Sequence, residues 1–232
     1  WSADVCASDV ALSTLFEYAG LPRPAVVRSQ IEPDGNFPTV AFPNPEEPGA
    51  LDEAFAAAKQ VRAKLILAND PDADRLAVAV ANKSYRNGYR VLTGDEVGLI
   101  LAAEIATIAR DAGVEGTLAS SVVSSSALEA VALYTGQHFV QTLTGFKWIA
   151  DLIRQKEGKE NYIIGGEESF GLMIGDHVKV AIDDVVIGKP GGDVRQHAGI
   201  MKRVVGIEEA YGIAGEAMKA LVHGVVHTLV RL

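Results

Sequence analysis

Asp70, Asp72 and Asp74 occupy alternate positions of Leu65-Ile66-Leu67-Ala68-Asn69-Asp70-Pro71-Asp72-Ala73-Asp74-Arg75, directly behind three consecutive apolar residues. A curved loop at the end of a buried strand can bring such carboxylates onto one point. Their repulsion then calls for a cation between them, and an all-oxygen donor set suits a hard ion, Mg²⁺ or Ca²⁺. Arg75 follows at once, and its planar fork of donors suits a phosphate or a neighbouring carboxylate. A solvated acidic turn is the competing reading. It is disfavoured because a second apolar run, Leu76 to Ala81, follows the cluster.

Two later stretches carry further candidate chemistry. Thr142-Leu143-Thr144-Gly145-Phe146-Lys147-Trp148 places a Thr-Gly turn between a predicted strand and a predicted helix. Thr144 and Gly145 offer a hydroxyl and backbone donors, and Lys147 adds a mobile positive charge, a set that suits a phosphorylated or hydroxylated ligand. Gly165-Gly166-Glu167-Glu168-Ser169-Phe170-Gly171 sets two carboxylates and a hydroxyl between glycines. Such groups can hydrogen-bond the vicinal hydroxyls of a sugar. Ser124, Ser125 and Ser126 end a predicted strand and read as caps for the next helix rather than as nucleophiles. His223 and His227 lack the Glu of a metalloprotease helix and read as ordinary helix residues.

The elements that must position these groups alternate between strand and helix. The spacing predicts a helix over 7–20, a short strand over 25–27, and an irregular connection where seven of the nine prolines fall between positions 22 and 48. A helix over 51–63 and a strand over 64–69 deliver the carboxylate loop. A strand over 76–82 then turns at Asn87-Gly88, read as a type I′ hairpin, into a strand over 91–93. Gly94-Asp95-Glu96 opens a helix to about residue 112, with both acids at its positive end. Gly113 to Gly116 reads as a domain boundary. Beyond it follow a strand over 117–123, a helix over 127–135, a strand over 138–142, a helix over 148–156 and a strand over 161–165. The tail reads as strands over 178–182 and 185–187, a turn at 189–192 and helix over 194–231. This alternation implies an α/β layer structure.

Composition sets the outer bounds. The chain has 232 residues, 48% apolar and 22% charged, with a net charge of −9. That charge argues against non-specific binding to nucleic acid or to an anionic membrane. A single cysteine, Cys6, excludes an internal disulfide framework and fits a reducing, cytoplasmic location. No run is apolar and long enough to predict a membrane helix, and no secretory signal is expected. The chain opens on Trp1-Ser2 without an initiating Met, which reads as a fragment or a processed product.

Asp-Pro-Asp-Ala-Asp-Arg resembles the metal loop of the phosphohexomutases, the phosphoglucomutase and phosphomannomutase superfamily. Asn36 to Leu51, Leu92 to Gly98, the Thr-Gly loop and the Glu-x-Ser loop resemble further segments of that family, in the same order. The Thr-Gly loop is closest to the branch acting on glucose and pentose phosphates. The resemblance covers roughly residues 1–176. It implies two consecutive three-layer α/β/α domains followed by a divergent helical tail: a metal-binding domain over 1–113, a sugar-binding domain over 114–188 and a tail over 189–232. Family members carry four domains round a cleft, and a phosphoserine in the first exchanges phosphoryl groups with a phosphosugar. By resemblance, Asp70, Asp72 and Asp74 hold Mg²⁺ and Arg75 stabilises the phosphoryl group or orients the loop. Glu167 and Ser169, with Thr144 and Gly145, bind the substrate. Lys147 is expected to support a phosphate or act in proton transfer.

The implied reaction is that of a phosphosugar mutase, converting glucose 1-phosphate to glucose 6-phosphate through glucose 1,6-bisphosphate as intermediate and activator. The partner is then a phosphosugar, and neither nucleic acid nor membrane is expected. No Thr-Ala-Ser-His-Asn-Pro-like phosphoserine loop and no Arg-Pro-Ser-Gly-Thr-Glu-Pro-like phosphate loop occurs in the sequence. The isolated chain is therefore expected to be incomplete for turnover. Two other readings stand beside this one. A Mg-dependent phosphatase resembling the haloacid dehalogenases would use Asp70, Asp72, Gly175-Asp176 and Asp183, although Asp74 falls where that group has Thr or Val. A non-catalytic remnant would only bind sugar phosphates. The residues do not choose between glucose, mannose and pentose phosphates.

Overall fold

The computed structural model describes residues 16, 23–31, 34–70, 75–156 and 159–175. Among these, the chain divides into two compact units, the first ending at Leu92 and the second beginning at Thr93.

In the first unit, helix α1 (Asp52–Val61) packs on a three-stranded antiparallel sheet of β1 (Leu65–Asn69), β2 (Leu76–Ala81) and β3 (Tyr89–Val91), in that order. Alanine richness favours the helix, and Asp52 and Glu53 lie in its first turn, at the positive end of its dipole. Leu51, Ala54, Phe55 and Ala58 recur at helical spacing and bury one face against Ile66, Ala79 and Tyr89. The Phe55 and Tyr89 rings stack at 5.9 Å, and the Tyr89 hydroxyl donates to the Ala63 carbonyl at 2.7 Å. The helix stops at Arg62, which adopts φ 55° so that its N–H reaches the Ala58 and Lys59 carbonyls.

The second unit has helix α2 (Gly94–Asp111), β4 (Gly116–Ser121), α3 (Ala127–Thr135), β5 (His138–Thr142), α4 (Phe146–Lys156), β6 (Asn161–Gly166) and β7 (Leu172–Ile174). Its sheet runs β5-β4-β6-β7, parallel except for β7. The step from β4 to β5 goes one way across the sheet and the step from β5 to β6 goes back past β4. Right-handed crossovers then put α3 and α4 on opposite faces. Accordingly α2 and α3 pack together, while α4 covers β4, β5 and β6. Leu118, Ile164 and Ile149 are fully buried between the layers. In sheets with such a reversal of direction, the usual ligand position is at the carboxyl ends of the two strands where it occurs, here β4 and β6.

Several expectations are corrected. The two units part at Leu92 and Thr93 rather than at Gly113–Gly116, because α2 packs against α3 and β6 and so belongs with the sheet that follows it. Gly113 instead follows the end of α2 with φ 70°, and Gly116 opens β4. Residues 25–27 form no strand; they precede a single 3-10 turn, Arg28–Gln30, and Val27 packs on the α1 core. The link between β2 and β3 is not a two-residue type I′ turn. Ala81 pairs with Tyr89, so the connection runs from Asn82 to Gly88. Gly88 alone takes a positive φ there, while Asn82 and Asn87 accept from the N–H groups two residues on. The predicted helix over 7–20 lies outside the described residues except for Phe16, which is helical and buried. The predicted tail elements, His223 and His227 lie outside them too. No described helix is long and apolar enough to cross a membrane.

Candidate functional site

In the first unit the carboxylate loop joins two paired strands. Asn69 and Leu76 are register partners, so residues 70–75 span the end of the β1–β2 pair. The two stems of the loop are tied together. The Asn69 side-chain amide donates to the Arg75 carbonyl at 2.8 Å, and the Arg75 N–H donates to Asp70 Oδ1 at 3.0 Å. Asp70 is 7% exposed. The Arg75 guanidinium bridges two carboxylates, with Nε 3.6 Å from Asp70 Oδ2 and an outer nitrogen 3.3 Å from Glu46 Oε2. That geometry braces the loop. Asp72 and Asp74 lie outside the described residues. Among the described ones, no three potential ligands converge on a metal-sized point. Asp70 is a buried carboxylate at a strand end, and its cationic neighbour here is the Arg75 guanidinium.

In the second unit three loops leave the carboxyl edge of the parallel strands: 122–126 after β4, 143–145 after β5 and 167–171 after β6. Side-chain hydrogen bonds knit them. One Glu167 oxygen accepts the N–H of Gly145, at the start of α4, where a carboxylate also meets the positive end of the helix. Gly145 has φ 114°, which favours glycine. Glu168 Oε2 accepts from Ser121 Oγ at 3.1 Å and Ser124 Oγ at 2.9 Å, and the Glu168 N–H donates back to Ser124 Oγ at 3.1 Å. The first turn of α2 supports the same edge. Asp95 Oδ1 accepts the Ser125 N–H at 2.8 Å. Gly94 lies flat against the third loop: a Cβ there would stand 2.6 Å from the Glu168 carbonyl carbon and 2.8 Å from the Phe170 nitrogen. Phe170 itself takes φ 67° and is buried.

The structure thus joins Gly145 to Glu167 and Asp70 to Arg75, each pair within its own unit. Thr144 is exposed, and Ser169 is half-buried in the turn that follows Glu167. Lys147 is exposed in the first turn of α4, its ammonium 5.5 Å from the Trp148 ring centre. Ser121 and Ser124 do not cap α3 but serve Glu168; of the three serines read as caps, Ser125 Oγ accepts the Ala127 N–H. Sequence reasoning missed Glu46, Asp95 and Glu168 as organisers. Each partner lies far along the chain, so no local spacing marks the pair.

Comparisons with known proteins bear on the family and the fold. Residues 2–83 match the family model described as phosphoglucomutase/phosphomannomutase, alpha/beta/alpha domain II, and residues 93–188 match domain III of the same family. A probable phosphomannomutase of Haemophilus influenzae is 45% identical over 163 residues, 70% of this chain and 31% of that protein. A phosphopentomutase of Mus musculus is 42% identical over 167 residues, 68% of this chain and 26% of that one. A crystal structure of a phosphoglucomutase/phosphomannomutase family protein from Burkholderia thailandensis superposes with a TM-score of 0.53 at 21% identity, covering 83% of this chain and 35% of that one; it bears on the fold alone. The chain spans less than a third of either curated relative. All three informative loops fall inside the domain matches, which displaces the haloacid dehalogenase reading. With two consecutive α/β/α domains in the expected order, the chain belongs to the phosphoglucomutase/phosphomannomutase family, of which it carries domains II and III.

Proposed function

We propose that this chain supplies the metal loop and the sugar-reading loop of a phosphosugar mutase of the glucose 1-phosphate to glucose 6-phosphate type. The observation that carries the reading is the knitted carboxyl edge of the second unit, where Glu167 and Gly145 meet beside Ser169. It accompanies an acidic loop braced by Arg75 in the domain before it.

Phosphoryl transfer needs charge neutralisation and positioning more than covalent help. Asp70, Asp72 and Asp74 are the residues that would hold Mg²⁺, which when bound neutralises charge on the transferring group. Arg75 keeps Asp70 in place. Glu167 and Ser169, with the Thr144-Gly145 backbone, bind sugar hydroxyls. Donors and acceptors of this kind accept a sugar in either of two orientations, as a reaction through glucose 1,6-bisphosphate requires. Lys147 supplies a mobile positive charge for a phosphate or a proton. In this scheme the phosphoserine is supplied from outside domains II and III, and the loops of this chain bind the phosphosugar. Mannose and pentose phosphates are the alternative substrates, in line with the phosphomannomutase and phosphopentomutase among the relatives. No nucleic acid or membrane partner enters this scheme, and the cytoplasm is the compartment where such substrates are met.

The test is ³¹P NMR of the chain with glucose 1-phosphate, Mg²⁺ and a trace of glucose 1,6-bisphosphate, repeated with Mn²⁺. Unchanged substrate whose signal broadens when Mn²⁺ and protein are both present is the expected outcome. Appearance of glucose 6-phosphate would mean that the chain completes the cycle alone. Free phosphate, or no broadening, would sink the proposal.

A further inference from the structure

We infer that Glu168 is a positioning residue for the sugar-reading loop, holding Glu167 and Ser169 in their binding geometry through Ser121 and Ser124. The inference rests on the phosphosugar reading above and adds a residue to it. Glu168 lies between the two expected sugar ligands in sequence, but its side chain is turned to the β4–α3 loop. Its Oε2 lies 3.1 Å from Ser121 Oγ and 2.9 Å from Ser124 Oγ, which are themselves 2.8 Å apart, while its own N–H reaches Ser124.

Proton inventory makes the carboxylate the end point of this network. Two hydroxyl protons serve three oxygen–oxygen contacts, and an ionised carboxylate brings none. Whichever serine donates to the other, the chain of donors ends on Glu168, and charge-assisted bonds of this kind are the stronger ones. The loop is held from other sides as well. Gly94 lies against the Glu168 and Phe170 backbones, and the Gly171 backbone lies against the Phe146 ring. Asp95 fixes Ser125, and so holds the serine loop that Glu168 leans on. A mobile loop would have to be ordered each time a sugar bound, at an entropic cost. The serine–Glu168 network meets that cost in advance.

The experiment titrates glucose 1-phosphate into the full chain by calorimetry, for the parent and for Glu168→Ala, Glu168→Gln and Ser124→Ala. Glutamine keeps an oxygen acceptor of the same reach, so it restores binding if positioning is the role. Glu168→Ala is expected to weaken binding about tenfold and Glu168→Gln to recover most of the loss, with Ser124→Ala between them. Amide exchange of Leu118 and Ile164, paired at the centre of the sheet, reports whether each variant stays folded. If Glu168→Ala loses that protection, Ser124→Ala carries the same comparison. A folded Glu168→Ala or Ser124→Ala chain that binds like the parent overturns the inference alone, as does a glutamine variant no better than alanine. A parent chain that does not bind glucose 1-phosphate overturns the phosphosugar reading and this inference with it.

Discussion

The Glu167 carboxylate accepts the backbone N–H of Gly145, across the space between the β6 and β5 loops. A residue expected only to read sugar hydroxyls therefore also holds the start of α4. Glu167→Ala removes a charge-assisted bond and a favourable charge at a helix N-terminus, and is expected to destabilise the chain by about 1–2 kcal/mol. Glu167→Gln keeps the acceptor and should cost less. Urea unfolding without ligand measures both. An unchanged midpoint in the alanine variant would restrict Glu167 to substrate.

Gly94 makes a sharper test of how the third loop is seated. Glycine at the first position of a helix is ordinarily improved by alanine. Here a Cβ would press on the Glu168 and Phe170 backbones, so Gly94→Ala is expected to destabilise by roughly 1–3 kcal/mol. The sign of the change decides. A stabilised variant would show that α2 does not bear on that loop.

What could be read from the sequence follows from which signals are local. The helix over 127–135 and the strand over 138–142 have the predicted bounds, because apolar periodicity and the Gly136 stop are written in adjacent residues. Thr93 and Glu96 close a capping box that fixes the start of α2. The domain division was misplaced because Gly113–Gly116 looks like a linker, and only packing shows that α2 belongs with the later sheet. Asn87-Gly88 reads as a tight turn on its dipeptide alone, whereas the register set by Ala81 and Tyr89 leaves a longer connection. Of the site, the loops were legible and their mutual ties were not. Asp95 to Ser125 and Ser121 to Glu168 are contacts between distant elements, which exist only once the parallel sheet has brought three strand ends together.

Glu104 gives the fold a pH dependence. It is 7% exposed on α2, and burial first, then the charge of Asp111, pushes its carboxyl from 4.5 up to about 7. At low pH it is neutral in both folded and unfolded chains and contributes nothing. As pH rises from 4.5 toward 7 the unfolded chain loses this proton and the folded chain keeps it, so stability falls across that window. Above it the folded chain carries a poorly hydrated charge. Glu104→Gln should therefore gain on the order of 2 kcal/mol over the parent at about pH 8 and little at about pH 4. Urea titrations at the two pH values check this. Parallel shifts at both would show that Glu104 titrates normally.

Asp70 allows the metal role to be separated from the structural one. Its Oδ1 accepts the Arg75 N–H at 3.0 Å, closing the acidic loop at its stem. Asparagine keeps an acceptor oxygen for that N–H, and replaces the charged Oδ2 facing the guanidinium by an amide NH₂. The remaining contact to the Arg75 guanidinium, at 3.6 Å, involves a half-exposed partner and contributes modestly. Asp70→Asn should thus leave the unfolding midpoint within about 1 kcal/mol of the parent. Mn²⁺ affinity, followed by water-proton relaxation, should fall by roughly tenfold or more, since hard-ion affinity tracks the charge of the oxygen set. Asp72→Asn and Asp74→Asn should weaken Mn²⁺ binding to a similar extent. Asp70→Ala should lose stability as well as metal, because the Arg75 N–H is left without its acceptor. An Asp70→Asn chain that binds Mn²⁺ like the parent would assign this carboxylate to the loop stem alone.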